Sequence, residues 1–202
     1  MEKESLILSA LNSGLMDISG NVKGEVFHTY KPFICYRKGE DGIRQVEERM
    51  KAIGYPMVFK DIKSTKWYPE ALSVLTIIVA CEIFNWDEGD IFEMGKAAPK
   101  YSGIVKFMIR YFLSPRKTFD ESPKYWRRHF DFGKIENAVF DEKNKTIVIH
   151  IMDYKFHPLI CAFHRGYFFS FTQLTIKSDC LKVEETKCAH RGDKYHEFTI
   201  KW

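Results

Sequence analysis

The chain has 202 residues, 45% hydrophobic and 15% aromatic, and 31 Lys+Arg against 27 Asp+Glu give a net charge of +4. That length allows a substantial core, and the mild basicity falls short of what a nucleic-acid binder would carry. No run of about 18 apolar residues is present, which argues against a membrane span.

The N-terminus, Met-Glu-Lys-Glu, lacks the apolar stretch of a signal peptide, so a cytoplasmic location is expected. There the five cysteines, Cys35, Cys81, Cys161, Cys180 and Cys188, point to packing, metal or redox chemistry before disulfides. Residues 1–21 read as a lead-in or arm carrying Leu6, Leu8, Leu11 and Leu15, able to dock on a partner subunit. Residues 22–202 read as a single domain that starts with a short extended stretch, Val22–Phe27. A polar helix is expected from Gly39 to Ala52, with Ile43, Val46 and Met50 inward and a stop at Gly54. Trp67-Tyr68-Pro69 precedes the most apolar helix, roughly Glu70 to Phe84, which should be central. Asp87 caps the next helix, to about Ala98, and another apolar helix is expected from Tyr101 to Phe112. Ser114-Pro115 and Ser122-Pro123 each pair a cap residue with a first-turn proline, so two helices are expected there.

After Gly133 the period changes. Ile135–Phe140 and Thr146–Met152 read as strands, His157-Pro158 opens a helix running to about Thr175, and a hairpin of Ser178–Lys187 and Lys194–Trp202 follows. The order is that of an α+β fold, an N-terminal helical layer packed on a small antiparallel sheet.

The hairpin carries the chemical signal. His196 falls on the face of Phe198, Ile200 and Trp202, and Glu185 on the face of Leu181 and Val183, with Cys188 three residues on. A carboxylate turned inward without a partner is costly, and a bound cation would resolve all three groups together. An ion pair of Glu185 with His196 or a lysine, with Cys188 simply buried, is the rival reading, and a Cys161–Cys188 redox pair is a third. The aromatic share suits a thick core or an apolar cavity; Trp67, Tyr68, Trp126 and Phe130 are the candidate pocket residues, with core packing as the plainer reading of each. No P-loop, GxGxxG, GxSxG or HExxH pattern occurs, so an enzyme is the least supported class.

Cys161, then Glu185-Thr-Lys-Cys188-Ala-His-Arg-Gly192-Asp, then His196-Glu-Phe198 resembles the pattern of the 4-vinyl-reductase domain, a small-molecule-binding module whose fold is shared with TRAPP subunits and haem nitric-oxide-binding domains. A longer resemblance, from Val22-Lys23-Gly24 through Trp67-Tyr68-Pro69 and Ser114-Pro115 to Trp202, is to an uncharacterised bacterial family abundant in myxobacteria. The resemblance implies one zinc held by Cys161, Glu185, Cys188 and His196, the last replacing a family Cys, with His164 as the substitute ligand. Four protein ligands make a closed, structural site. It also implies an apolar or aromatic small-molecule ligand between the helical layer and the sheet. No helix-turn-helix or ATPase pattern is found, so a homodimer or partner protein is expected to carry a signal. His129 and His150 could bind haem, but of the Tyr-x-Ser-x-Arg motif of the haem-binding relatives only Tyr101-Ser102 is found, so haem is disfavoured. The expected function is therefore a small-molecule-binding or sensory domain with a structural zinc. The alternative is a TRAPP-like interaction scaffold without ligand, and a haem-based gas sensor ranks below both.

Overall fold

The structure, a computed structural model, describes residues 5–103, 105 and 114–202. The helix expected over Tyr101–Phe112 lies, beyond 103 and apart from Val105, outside the described residues. Helix α1 (Leu6–Asn12) starts at a Ser5 cap and buries Ile7 and Ala10 in the chain's own core. Its first turn is tied to the central helix, since the Ile7 backbone N–H and the Ser5 hydroxyl both donate to Glu82.

Strand β1 (Asn21–Lys23) pairs antiparallel with β2 (Trp67–Pro69). Between them, α2 (Glu25–Ala52) is longer than the expected polar helix. Gly39, at φ 70° and ψ −172°, breaks it where that helix was expected to begin, a backbone setting that favours glycine. Helix α3 (Glu70–Phe84) is buried from Ala71 to Cys81 on nearly every side, apart from a partly exposed Leu72, which places it at the centre as its composition required. Asn85 ends it in the left-handed conformation. Helix α4 (Glu88–Tyr101) opens with a capping box between Asp87 and Asp90.

One expectation fails between 114 and 129. A single helix, α5 (Pro115–His129), runs through Ser122-Pro123 without a restart. Pro123 cannot donate to the carbonyl of Phe119, and that carbonyl is met instead by the Ser122 hydroxyl at 2.8 Å and by the Asn137 side-chain amide from the sheet. The bond that an interior proline removes is thus replaced by two side chains, and the helix continues.

Strands β3 (Lys134–Asp141) and β4 (Thr146–Met152) precede helix α6 (Leu159–Gln173), then β5 (Lys182–Lys187) and β6 (His196–Lys201). The four form one antiparallel sheet in the order β3-β4-β6-β5. The fold is the expected α+β arrangement of helices over a small sheet. Helices α4 and α6 cross backbone to backbone at Gly95 and Gly166. A Cβ on Gly95 would sit 2.0 Å from the Phe163 carbonyl oxygen, and one on Gly166 would sit 1.9 Å from that of Phe92. No helix among the described residues is long and apolar enough to cross a membrane.

Candidate functional site

Strand β5 contains the local feature that builds the first site. Glu185 and Cys188 are three apart, an odd spacing that a regular strand would turn to opposite faces. The pairing shifts between Glu185, opposite Phe198, and Lys187, opposite Glu197, so two residues of β5 answer one of β6. This bulge at Thr186 re-aims the chain and lets Cys188 follow Glu185 inward. A single 3-10 turn, Ala189–Arg191, and Gly192 at φ +99° then reverse the strand. The turn is closed by the Cys188 N–H donating to the Asp193 carboxylate at 2.8 Å. His196 begins β6 on the same buried face as Phe198 and Ile200.

Cys161 reaches this group from the first turn of α6. One ligand atom from each of Cys161, Glu185, Cys188 and His196 lies within 4.8 Å of every other. The Cys161 sulfur is 3.7 Å from that of Cys188 and 3.7 Å from His196 Nδ1. His196 Nδ1 lies 2.8 Å from Glu185 Oε1, and Nε2 donates to the Tyr154 carbonyl at 2.8 Å. Burial pushes the Glu185 carboxyl up, but hydrogen bonds from His196, Cys161 and Cys188 outweigh it and pull it down to about 2. Burial, reinforced by Glu185, holds the Cys161 thiol well above its usual range. His164 is not in the group. It lies one turn further along α6 and lines a different space.

That space is a cavity of about 130 Å³ between α4, α5, α6 and the sheet. Trp126 and Phe130 form part of its wall and stack at 4.1 Å between ring centroids. Ile147, Ile149 and Ile200 supply the sheet side, Phe163 and Phe168 the α6 side. The two other expected pocket residues lie elsewhere. Trp67 is 42% exposed on β2, with the Lys23 ammonium over its ring. Tyr68 packs edge-on against Phe27 and accepts the Lys63 N–H. Both sit on the small β1–β2 ribbon, whose pairing carries them away from the main sheet.

Two imidazoles reach the cavity. His164, buried among Tyr154, Phe163, Phe168 and Phe198, is held neutral by burial, its pKa pushed down to about 3. His129, the last residue of α5, donates through Nδ1 to the Tyr125 carbonyl at 3.0 Å, leaving Nε2 toward Glu25 at 3.8 Å. His150 is on the outer face of the sheet, bonded to Glu197 and stacked on Tyr195. Sequence spacing offered His164 only as a spare ligand for the first site. Its i, i+3 relation to Cys161 places the two on adjoining faces of α6, one toward each space. Ser102 of the Tyr101-Ser102 pair donates to Glu25 at 3.0 Å, and no Lys or Arg occurs among the described residues of the cavity wall.

No family model and no curated protein matches this chain, so nothing found supports the resemblance to the 4-vinyl-reductase domain and to the myxobacterial family. Solved structures do match. An H-NOX protein from S. oneidensis in its Fe(II)NO ligation state superposes with a TM-score of 0.65 at 14% identity, over 89% of this chain and 98% of the other. An oxygen-binding H-NOX domain related to soluble guanylate cyclases gives 0.63 at 13%, over 89% and 94%. A third, solved to probe haem distortion in the H-NOX family, gives 0.62 at 13%, over 89% and 94%. The expectation of zinc with haem set aside is corrected by these neighbours, which are haem-binding domains. The chain has the haem-NO-binding-like fold.

Proposed function

We propose that this chain is a small-molecule-binding, sensory domain whose guest occupies the cavity beneath α5 and α6. The observation that carries the reading is that cavity, mostly apolar and placed between the helical layer and the sheet. Its stacked Trp126–Phe130 wall suits a flat apolar or aromatic molecule. Haem belongs to that class by shape, and the cavity, about 130 Å³ in this structure, would have to open to admit it. His129 and His164 are the nitrogens that could hold its iron, and when bound it would supply a gas-binding centre. Residues 22–202 would act as one unit, and a signal would pass through a homodimer or a partner protein.

Native mass spectrometry of the purified full chain tests this, with visible absorption to report haem. The expected result is a co-purified guest, or binding of naphthalene or haemin when either is added. His164→Leu is expected to remove the absorption band if its imidazole holds the iron. A bare chain that takes up neither probe would overturn the proposal.

The four-residue group is proposed as a site for a soft divalent metal ion. An ion about 2.3 Å from each of two sulfurs in a tetrahedron holds the sulfurs roughly 3.8 Å apart, against the 3.7 Å between Cys161 and Cys188. The Nε2–H of His196 on the Tyr154 carbonyl is the kind of outer bond that fixes a metal-ligating ring. With four protein ligands the ion would pin α6 to the β5–β6 turn. Cys188→Ser and Glu185→Gln are each expected to lower both metal content, read by elemental analysis, and Tm, read by calorimetry. Full occupancy in both variants would dismiss the site.

A further inference from the structure

We propose that His190 is the entry ligand of the four-residue metal site: it receives an arriving ion in the cleft beside the site and hands it on to Cys161, Glu185, Cys188 and His196. The inference rests on the metal reading of that group and adds the path by which the site fills and empties.

The cleft supplies the path. Cys161, Glu185 and Cys188 all line one cleft of about 540 Å³, and His190 and Arg191 line it with them. His190 follows Cys188 by two residues, in the 3-10 turn Ala189–Arg191. Its ring centroid is 5.4 Å from that of His196. Two imidazoles on one tetrahedral ion, each nitrogen about 2.05 Å from it, hold their ring centres roughly 5.2 Å apart. His190 and His196 are therefore spaced as two ligands of one ion are.

The two groups that could take the ion first differ in what they must give up. Neither ring nitrogen of His190 has a hydrogen-bond partner among the described residues. Glu185 is engaged twice, by His196 Nδ1 at 2.8 Å from Oε1 and by Arg191 at 3.5 Å from Oε2. An ion that met the carboxylate first would have to displace both contacts, whereas His190 has none to lose. The ion then binds His190 together with Cys188 of the same turn, and Cys161 and His196 follow. Each thiol releases its proton to solvent as its sulfur takes the ion. Glu185 replaces His190 last, once Arg191, whose side chain is 60% exposed, withdraws into solvent.

Reversibility gives the signature. A ligand on the path is passed in both directions, so removing it slows uptake and release alike and leaves occupancy unchanged. Removing a permanent ligand speeds release and lowers occupancy.

Cadmium(II) is the probe, because its bonds to thiolate sulfur absorb in the ultraviolet. With the thiols of the full chain kept reduced, stopped-flow absorption follows uptake, excess chelator follows release, and equilibrium dialysis reads occupancy. His190→Phe is expected to slow uptake and release by about tenfold each at unchanged occupancy, and His190→Asn to act in the same direction. Calorimetry shows which variants fold, and either one that does decides the question. His150→Phe, on the outer face of the sheet, should keep the parent's rates. Parental rates in the His190 variants, or lower occupancy without slower uptake, would overturn the role of His190 alone. A parent chain with no thiolate–cadmium absorption at saturation would fail the metal reading, and the role of His190 with it.

Discussion

Gly166→Ala is expected to be among the most destabilising single-methyl changes the chain can suffer, lowering stability by about 3 kcal/mol. The added carbon would lie 1.9 Å from the Phe92 carbonyl oxygen and 2.8 Å from the Lys96 backbone nitrogen. Neither is the yielding end of a side chain, so α4 and α6 must separate. Because α6 carries Cys161 at its start and His164 and Phe168 a turn or two later, separation disturbs both spaces together. Gly95→Ala meets the Phe163 carbonyl in the same crossing and should behave alike. Gly54→Ala is the control. Its φ of +88° disfavours a side chain, but nothing lies within 4 Å, so it should cost only about 1 kcal/mol. Urea unfolding of the three variants checks the ranking. Equal losses at Gly166 and Gly54 would mean that backbone conformation, not the helix crossing, sets the requirement.

How legible the chain was depends on which physics each element obeys. Helix α3 was legible as an element, because Ala71–Cys81 is apolar apart from Ser73 and Thr76 and Pro69 stands just before its start. The inward turn of His196 with Phe198 and Ile200 was equally plain from period 2. The approach of Glu185 to Cys188 was not, since strict alternation separates them and only the bulge at Thr186 reconciles them. Ser122-Pro123 misled for a related reason. The cap rule reads Ser-Pro locally, whereas the Asn137 amide that satisfies the Phe119 carbonyl comes from β3, fifteen residues beyond Ser122. Trp67 and Tyr68 misled because aromatic residues beside a helix start look the same whether they face a cavity or a two-stranded ribbon.

Tyr154 ties the two spaces to a third feature that the sequence did not announce. Its carbonyl receives the His196 N–H and its ring packs on Trp126 and His164. Its hydroxyl donates to Glu70 at the start of α3. Glu70 is 3% exposed, and its other carboxyl oxygen has no hydrogen-bond partner. Burial outweighs the hydrogen bonds from Tyr154 and Ser73 and raises the Glu70 pKa from 4.5 to about 8. An acid whose pKa is higher folded than unfolded binds more protons when folded. Its contribution is therefore complete below about 4.5, declines as pH rises, and is lost once pH passes about 8. Glu70→Gln keeps an acceptor for Tyr154 and carries no proton to lose. It is expected to match the parent near pH 4 and to exceed it by roughly 3 kcal/mol at pH 7, each unit of the interval being about 1.4 kcal/mol. Denaturant unfolding at several pH values measures the gap. A difference that stays constant from pH 4 to pH 8 would show that Glu70 is ionised in the folded protein, with a cation or water beside the oxygen that now has no partner.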